Sequence, residues 1–359
     1  QKIELSDKQK EAVKLVNDNN VCVITGGPGT GKTTIIKSII DLYNNEELKI
    51  TLCAPTGRAA KRMTEATGEE AKTLHRVLEI GKFASEDEIN PDLLVTPIDA
   101  NIVIVDEASM IDLFLMNYLM KALYNGTKLV LVGDENQLPS VGPGNVLKDI
   151  IASEQVPVVT LNKIFRQAAK SKIILNSHKV NEGESFIGVK QDNEEELLQD
   201  FFFIQENNKD NITKQIVSLC TGRLEKYGNY DFIKNIQVIT PTKKGRLGTK
   251  ELNQVIQSNV NPFETTKKEK KFGDVIFRQG DRIMQVKNNY DMFWERDGKT
   301  NEAGSGVFNG EFGTIIDINE MDKEIVIKFD DDKKAWYSYA DLDQIEHAYA
   351  ITVHKAQRK

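Results

Sequence analysis

Gly26-Gly27-Pro28-Gly29-Thr30-Gly31-Lys32-Thr33 is the stretch that decides the class of this chain. An apolar run, Val21-Cys22-Val23-Ile24, precedes it, and a helix-compatible stretch from Thr34 to Ile40 follows. Strand, glycine loop and helix in that order form the context in which a phosphate-binding loop works. The glycines let successive backbone N–H groups turn inward onto phosphate oxygens, and the helix start adds partial positive charge. Lys32 is expected to reach the terminal phosphates and Thr33 to offer its hydroxyl to Mg²⁺. The ligand these residues ask for is a nucleoside triphosphate.

Outward from the loop, apolar runs recur at 50–54, 102–105, 129–132 and 156–161. They show little alternation, as expected of strands buried on both faces of a parallel sheet. Helical patterns separate them, so the first 165 residues read as a doubly wound α/β lobe. Asp106-Glu107 ends the run Ile102-Val103-Ile104-Val105. The carboxyl edge of a parallel sheet is also where a glycine loop sits. Asp106 is expected to hold Mg²⁺ through its water shell, and Glu107 to orient or deprotonate the attacking water. Gly133-Asp134-Glu135-Asn136-Gln137 caps the next run and brings the Gln137 amide toward the γ-phosphate. Phe165-Arg166-Gln167 offers the Arg166 guanidinium, whose fork binds phosphate oxygens in pairs. The catalytic candidates are therefore Lys32, Asp106, Glu107, Gln137 and Arg166.

With 359 residues the chain has material for about two or three domains. Its apolar and charged fractions, 40% and 28%, are those of an ordinary globular protein. No apolar run approaches the roughly 20 residues of a membrane span, and the first ten residues are polar, so no membrane partner is expected. Cys22, Cys53 and Cys220 lie far apart without metal or redox spacing, which suits buried free thiols and a cytoplasmic setting. The net charge of −7 leaves room for a basic groove but not for a basic coat. Lys267-Lys268-Glu269-Lys270-Lys271 reads as a solvated loop, Gly81 to Pro91 as an excursion from the lobe, and Phe201-Phe202-Phe203-Ile204 as a buried strand. A second α/β pattern begins at Ile236. From about Gly280, short strands at 282–286, 313–317, 324–329 and 335–339 suggest a small β-barrel-like insert.

Together these motifs resemble a superfamily 1 DNA helicase of the RecD-type group. Leu5-Ser6-Asp7-Lys8-Gln9 resembles its Q motif, and Gly26 to Thr33 its motif I. Ala54-Pro55-Thr56-Gly57-Arg58-Ala59-Ala60 and Thr73-Leu74-His75-Arg76 resemble motif Ia and the segment after it. Asp106 to Met110 is similar to motif II, Gly133 to Gly142 to motif III, Phe165-Arg166-Gln167 to motif IV, and Thr352 to Gln357 to the start of motif V. The resemblance implies an α/β fold of two RecA-like P-loop lobes with doubly wound parallel sheets, and an SH3-like β insert in the second. The corresponding boundaries are a first lobe over 1–165 with a short wedge at about 79–98, a partial second lobe over 166–280, the insert over 281–344, and a return to the second lobe over 345–359.

The resemblance also implies ATP and Mg²⁺ as cofactors, with Gln9 reading the adenine edge. The nucleotide set is then Gln9, Gly26, Gly27, Pro28, Gly29, Thr30, Gly31, Lys32, Thr33 and Thr34, with Thr33 and Asp106 on the metal. It implies ATP-driven movement along single-stranded DNA and at duplex junctions, 5′ to 3′, in repair or recombination, by a monomer that could join recombination or repair subunits. The family's strand contacts carry over to Pro55, Thr56, Gly57, Arg58, His75, Thr242, His354 and Lys355. For Thr56 the plain alternative is a helix cap, and for His75 a core or capping role. A nucleotide-dependent DNA-binding switch and an RNA helicase of the same superfamily stay open as alternatives. The sequence stops inside the motif V resemblance, before the arginine-bearing motif VI, so a fragment with weak hydrolysis is expected.

Overall fold

The structure, a computed structural model, describes residues 5–44, 48–80, 95–165, 168–186, 198–296 and 302–357. Two compact units divide the chain, Gln1–Ile204 and Gln205–Lys359.

Among the described residues of the first unit, six strands form one parallel sheet. They are β1 (Val21–Gly26), β2 (Ile50–Ala54), β3 (Ala71–Thr73), β4 (Ile102–Val105), β5 (Lys128–Gly133) and β6 (Val158–Leu161), in the order β3-β2-β4-β5-β1-β6. The helices are α1 (Asp7–Asp18), α2 (Lys32–Asn44), α3 (Gly57–Thr67), α4 (Leu74–Val77), α5 (Leu113–Ala122), α6 (Val146–Ala152) and α7 (Lys172–Asn181). Successive strand residues face opposite sides of a sheet. Accordingly Ile24, Ile104 and Val132 pack with Ile35 and Ile39 in one core, while Val23, Val105 and Leu131 pack with Leu74 and Leu119 in another. Apolar burial on both faces is why these strands read as unbroken Val/Ile/Leu runs. The register pairs Ile24 with Val132, Thr25 with Gly133 and Val105 with Leu131, so β1, β5 and β4 finish at one level. Lys128 ties the rear of the sheet to α1, its Nζ donating to the carbonyls of Val16, Asn17 and Asn19 at 3.1, 2.9 and 2.8 Å.

The second unit contains α8 (Lys209–Ser218), α9 (Leu224–Gly228), α10 (Phe232–Asn235), β7 (Val238–Thr240), α11 (Thr249–Val260), β8 (Glu269–Phe272) and β9 (Val275–Arg278). It continues with β10 (Arg282–Gln285), β11 (Asn289–Arg296), β12 (Ala303–Val307), β13 (Phe312–Asn319), β14 (Glu324–Phe329), β15 (Lys333–Ser338), β16 (Ile345–His347), β17 (Ala350–Thr352) and α12 (Val353–Gln357). β10 to β16 make a seven-stranded antiparallel sheet in the order β12-β11-β15-β14-β13-β10-β16, around Ile283, Ile315, Ile325, Ile327 and Tyr337. β17 returns to pair parallel with β7. Asp281, wholly buried, joins the insert to its surroundings. Its carboxylate accepts from Gln257 Nε2 at 2.7 Å, Asn261 Nδ2 at 2.8 Å, Arg278 N at 2.7 Å and Tyr349 Oη at 2.7 Å, with His347 Nε2 at 2.9 Å.

Several sequence expectations need correction. Phe201 to Ile204 is not a buried strand: Phe202 and Phe203 are 61% and 50% exposed, and among the described residues no strand pairs with them. Phe203 instead packs on Phe186, ring centroids 4.8 Å apart and planes tilted by 58°. Of the cluster Lys267 to Lys271, only Lys267 and Lys268 lie outside a strand; Glu269 to Lys271 belong to β8, which pairs with β9. Lys267 and Lys268 are neutralised by Glu264 and Asp317, and Lys270 lies 3.9 Å over the Tyr339 ring. The first unit runs to Ile204 rather than 165, because Leu198 bridges to Ser171 and Asp200 caps α7. The insert sheet extends past 344, since β16 pairs with β10. Among the described residues the second parallel sheet has only two strands. Most of the expected wedge, 81–94, and Arg166 lie outside the described residues. The three cysteines are free and buried, with burial pushing Cys22 up to about 12 and Cys220 up to about 11.

Asp281→Ala strands a buried cluster of donors and is expected to destabilise the second unit by about 3–5 kcal/mol. Chemical unfolding followed by far-UV circular dichroism measures this, and an unchanged midpoint contradicts the assigned joint.

Candidate nucleotide-binding and catalytic site

The glycine loop leaves β1 and enters α2 at Lys32. Gly29 and Gly31 adopt φ values of 75° and 82°, the left-handed region that a Cβ disfavours. Thr30 Oγ1 donates to the Gly27 carbonyl at 2.8 Å and closes the loop on itself. Lys32 Nζ donates to the carbonyls of Gly26 and Gly27 at 2.6 and 3.1 Å. The ammonium is thus held inside the loop, at the position from which phosphate oxygens would recruit it.

Gln9 enters the site through a local rule. Ser6-Asp7-Lys8-Gln9 is a capping box: Gln9 N donates to Ser6 Oγ at 3.4 Å, and Ser6 N to Gln9 Oε1 at 3.0 Å. That bond fixes which end of the amide faces α1's own cap. Gln9 Nε2 is left buried without a partner, beside Gly31. An orphaned buried donor costs roughly 1–3 kcal/mol, which a base acceptor would recover.

β4 delivers Asp106 and Glu107 to the same edge. Asp106 Oδ1 accepts from Glu107 N at 2.9 Å. Glu107 has φ 52° and ψ 40°, a strained backbone for a non-glycine residue. Its Oε2 is buried without a hydrogen-bond partner. Burial raises the pKa of both carboxyls above the usual range; for Glu107 the Asp106 charge adds to this, while Lys32 and Arg62 oppose it. A basic oxygen with nothing to bind fits a site for the water that attacks phosphorus. The donor set, a threonine hydroxyl and a carboxylate beside a phosphate loop, suits Mg²⁺, so Thr33 and Asp106 would hold it.

Gln137 stands on the turn after β5, exposed, with Ser109 Oγ donating to its Oε1 at 3.5 Å. The same turn is tied to β1, because Glu135 N donates to Thr25 Oγ1 at 3.4 Å. Motifs II and III therefore touch through Ser109, and motif III touches the loop-bearing strand through Thr25. Thr34 lies in the first turn of α2, where its carbonyl accepts from Ser38 Oγ. Phe165, of the expected motif IV, lines the loop together with two residues that the sequence reading did not single out, Ala168 and His178. No spacing signal marks them, since they reach the loop only through the fold.

Among the strand candidates, Thr56 is an N-cap, accepting from Ala59 N at 3.3 Å, so the plain alternative is present in the structure. Gly57 and Arg58 are exposed and Pro55 half-buried at the start of α3. His75 sits in α4, capped by Thr73, and is half-buried. In the second unit, Thr242 is exposed and its hydroxyl donates to the Lys244 carbonyl at 3.1 Å. His354 is exposed on α12. Lys355 pairs with Glu346 at 2.5 Å, so its charge is already engaged.

Glu107→Gln is expected to retain nucleotide binding and abolish hydrolysis, whereas Lys32→Ala weakens binding itself. A carboxyl with a raised folded pKa makes the native state lose stability as pH rises from its unfolded value through the raised one. Glu107→Gln should therefore stabilise the fold, by on the order of 1 kcal/mol near neutral pH and by less in mild acid. Thermal melts of both proteins across that range check the sign.

A family model described as an AAA domain matches residues 4–200, and one described as the ATP-dependent RecD-like DNA helicase SH3 domain matches 252–329. The chain is 33% identical over 354 residues to the ATP-dependent RecD2 DNA helicase of Deinococcus radiodurans, covering 98% of this chain and 44% of that one. It is 28% identical over 415 residues to the RecBCD enzyme subunit RecD of Buchnera aphidicola, covering 98% and 66%. The chain thus spans less than two thirds of either relative. The crystal structure of Bacteroides Pif1 bound to ssDNA aligns over 99% of this chain and 84% of that one, with a TM-score of 0.50 and 16% identity, a likeness of fold. With its AAA-domain and RecD-like SH3 matches and its loop-and-carboxylate edge, the chain belongs to the RecD-like group of superfamily 1 helicases.

Proposed function

We propose that this chain carries the motor of an ATP-dependent DNA helicase or translocase that moves 5′ to 3′ along single-stranded DNA in repair or recombination. The observation that carries the reading is the pair at the end of β4: a buried, unpartnered Glu107 oxygen beside Asp106, level with the phosphate loop. Glu107 Oε2 accepts the proton of the attacking water as its oxygen bonds to the γ-phosphorus and the bond to the β-phosphate oxygen breaks. Mg²⁺, when bound, offsets charge on the phosphate oxygens. Lys32 exchanges its loop carbonyls for phosphate oxygens, and the Gln137 amide senses loss of the terminal phosphate.

Pro55, Thr56, Gly57, Arg58, His75, Thr242, His354 and Lys355 are proposed to touch the strand, chiefly at its backbone, which makes binding steeply salt-dependent. RecD of Buchnera aphidicola is named as a RecBCD subunit, which supports a recombination or repair assembly here too.

ATP turnover measured with single-stranded DNA, with RNA and without nucleic acid tests the substrate class, and stimulation by DNA is expected. Equal stimulation by RNA favours the RNA reading, and none favours a metabolic phosphotransferase. In an unwinding assay, duplexes with a 5′ overhang should be separated and those with a 3′ overhang should not. DNA binding without unwinding of either would leave a nucleotide-dependent switch.

Two substitutions separate capping from contact. Thr56→Ala should cost about 1 kcal/mol of stability as a lost cap and also weaken DNA binding. His354→Ala, at an exposed position, should weaken DNA binding with the melting temperature unchanged. Fluorescence anisotropy with labelled oligonucleotides reads both, and undiminished affinity in both variants removes these contacts.

A further inference from the structure

The inner side of the glycine loop has to stay clear for phosphate, so the loop's shape must be held from its outer side. An ideal Cβ at Gly29 would fall 2.6 Å from Ala168 Cβ, and one at Gly31 would fall 2.6 Å from both Gln9 Nε2 and the Phe165 ring. At Gly27 it would fall 2.6 Å from Cε1 of the His178 imidazole. Phe165 N also donates to the Gly29 carbonyl at 3.2 Å. Residues between 165 and 178 therefore brace three of the loop glycines by direct contact.

Within that brace His178 contributes a polar contact of its own. Its Nε2 lies 3.2 Å from the Pro28 carbonyl oxygen. A carbonyl can only accept, so Nε2 carries the hydrogen. Pro28 has no N–H, which leaves its carbonyl as the residue's one backbone polar group. A carbonyl turned inward would set a partial negative charge against phosphate oxygens. Drawn outward by the imidazole, it leaves the neighbouring amides to face the ligand.

The helix that presents His178 is secured independently of it. Ser171 caps α7, its Oγ accepting from Ile174 N at 3.3 Å. Asp200 then accepts from Ser171 Oγ at 2.6 Å and from Lys172 N at 2.8 Å. The imidazole is thus brought to the loop by an anchored element, six residues along α7 from its first, Lys172.

We propose that His178 is a positioning residue of the nucleotide site, whose Nε2–H holds the Pro28 carbonyl outward and so sets the loop for phosphate. The inference rests on the nucleotide reading above and adds to it a determinant of affinity that acts through the loop without touching the ligand.

Binding of mant-ADP with Mg²⁺, followed by fluorescence on the whole chain, tests it. His178→Leu, of similar bulk and without a donor, should bind about three- to tenfold more weakly, the range set by one lost hydrogen bond. His178→Gln, whose amide can donate to Pro28, should return to within about twofold of the parent. Melting temperatures without nucleotide should agree among all three. In a double-mutant cycle, Gly27→Ala should weaken binding in the parent by displacing the ring, and should do so far less in a His178→Ala background.

Parent-like binding by His178→Leu, no recovery in His178→Gln, or strict additivity in the cycle overturns the proposal while the nucleotide reading stands. A parent chain that fails to bind mant-ADP overturns the nucleotide reading and this inference together.

Discussion

The hydrogen-bonded register of β1, β5 and β4 is the constraint on which the site depends. Thr25 lies opposite Gly133 and Val105 opposite Leu131, so three consecutive strands of one sheet end side by side. Each strand is followed at that edge by a polar element: the glycine loop, the Asp134 to Gln137 turn and Asp106-Glu107. Parallel strands carry their carboxyl ends to one side, and apolar burial on both faces prevents them from sliding. A shift of one residue would carry Ile24 and Ile104 into the opposite core and misalign the loop with its carboxylates.

That edge is built at some cost to stability. Glu107 combines a left-handed backbone with a buried oxygen that has no partner, and its carboxyl is pushed toward protonation by burial and by Asp106. Gln9 Nε2, a buried donor beside the glycine loop, is a second polar atom without a partner. The apolar cores around β1 and β4 supply the stability that tolerates these defects. Unpaired polar atoms and strained backbone at one place are what a site prepared for a polar ligand looks like.

In the second unit the organising group is a buried carboxylate of a different kind. Asp281 has partners on α11, β9, β16 and β17-adjacent Tyr349, so every lone pair is used. A fully satisfied buried charge specifies one arrangement of neighbouring elements, because any other leaves donors stranded. Here it fixes the start of the antiparallel insert against α11. Glu107, whose Oε2 is buried with no partner, is the opposite case.

The strands of the first sheet were legible because burial on both faces writes itself as continuous apolar runs, and the glycine loop because φ values near 80° demand glycine locally. Asp106, Glu107 and Lys32 could be placed at that edge for the same reason: each follows a strand or lies within a loop. Ser6 to Gln9 was legible as a motif, although its capping geometry emerged only with coordinates. Phe201 to Ile204 misled, since an aromatic run carries no sign of whether a neighbouring strand exists to pair with it. Glu269 to Lys271 misled likewise, because their pairing with β9 is invisible in one segment. His178 and the Asp281 cluster were out of reach of the sequence, as each depends on residues up to 150 positions apart brought together by packing. Local backbone chemistry and burial pattern determined the class of the fold and which polar groups end at the sheet edge; which distant side chains hold those groups in place was decided by the tertiary structure, because long-range contacts leave no periodic trace along the chain.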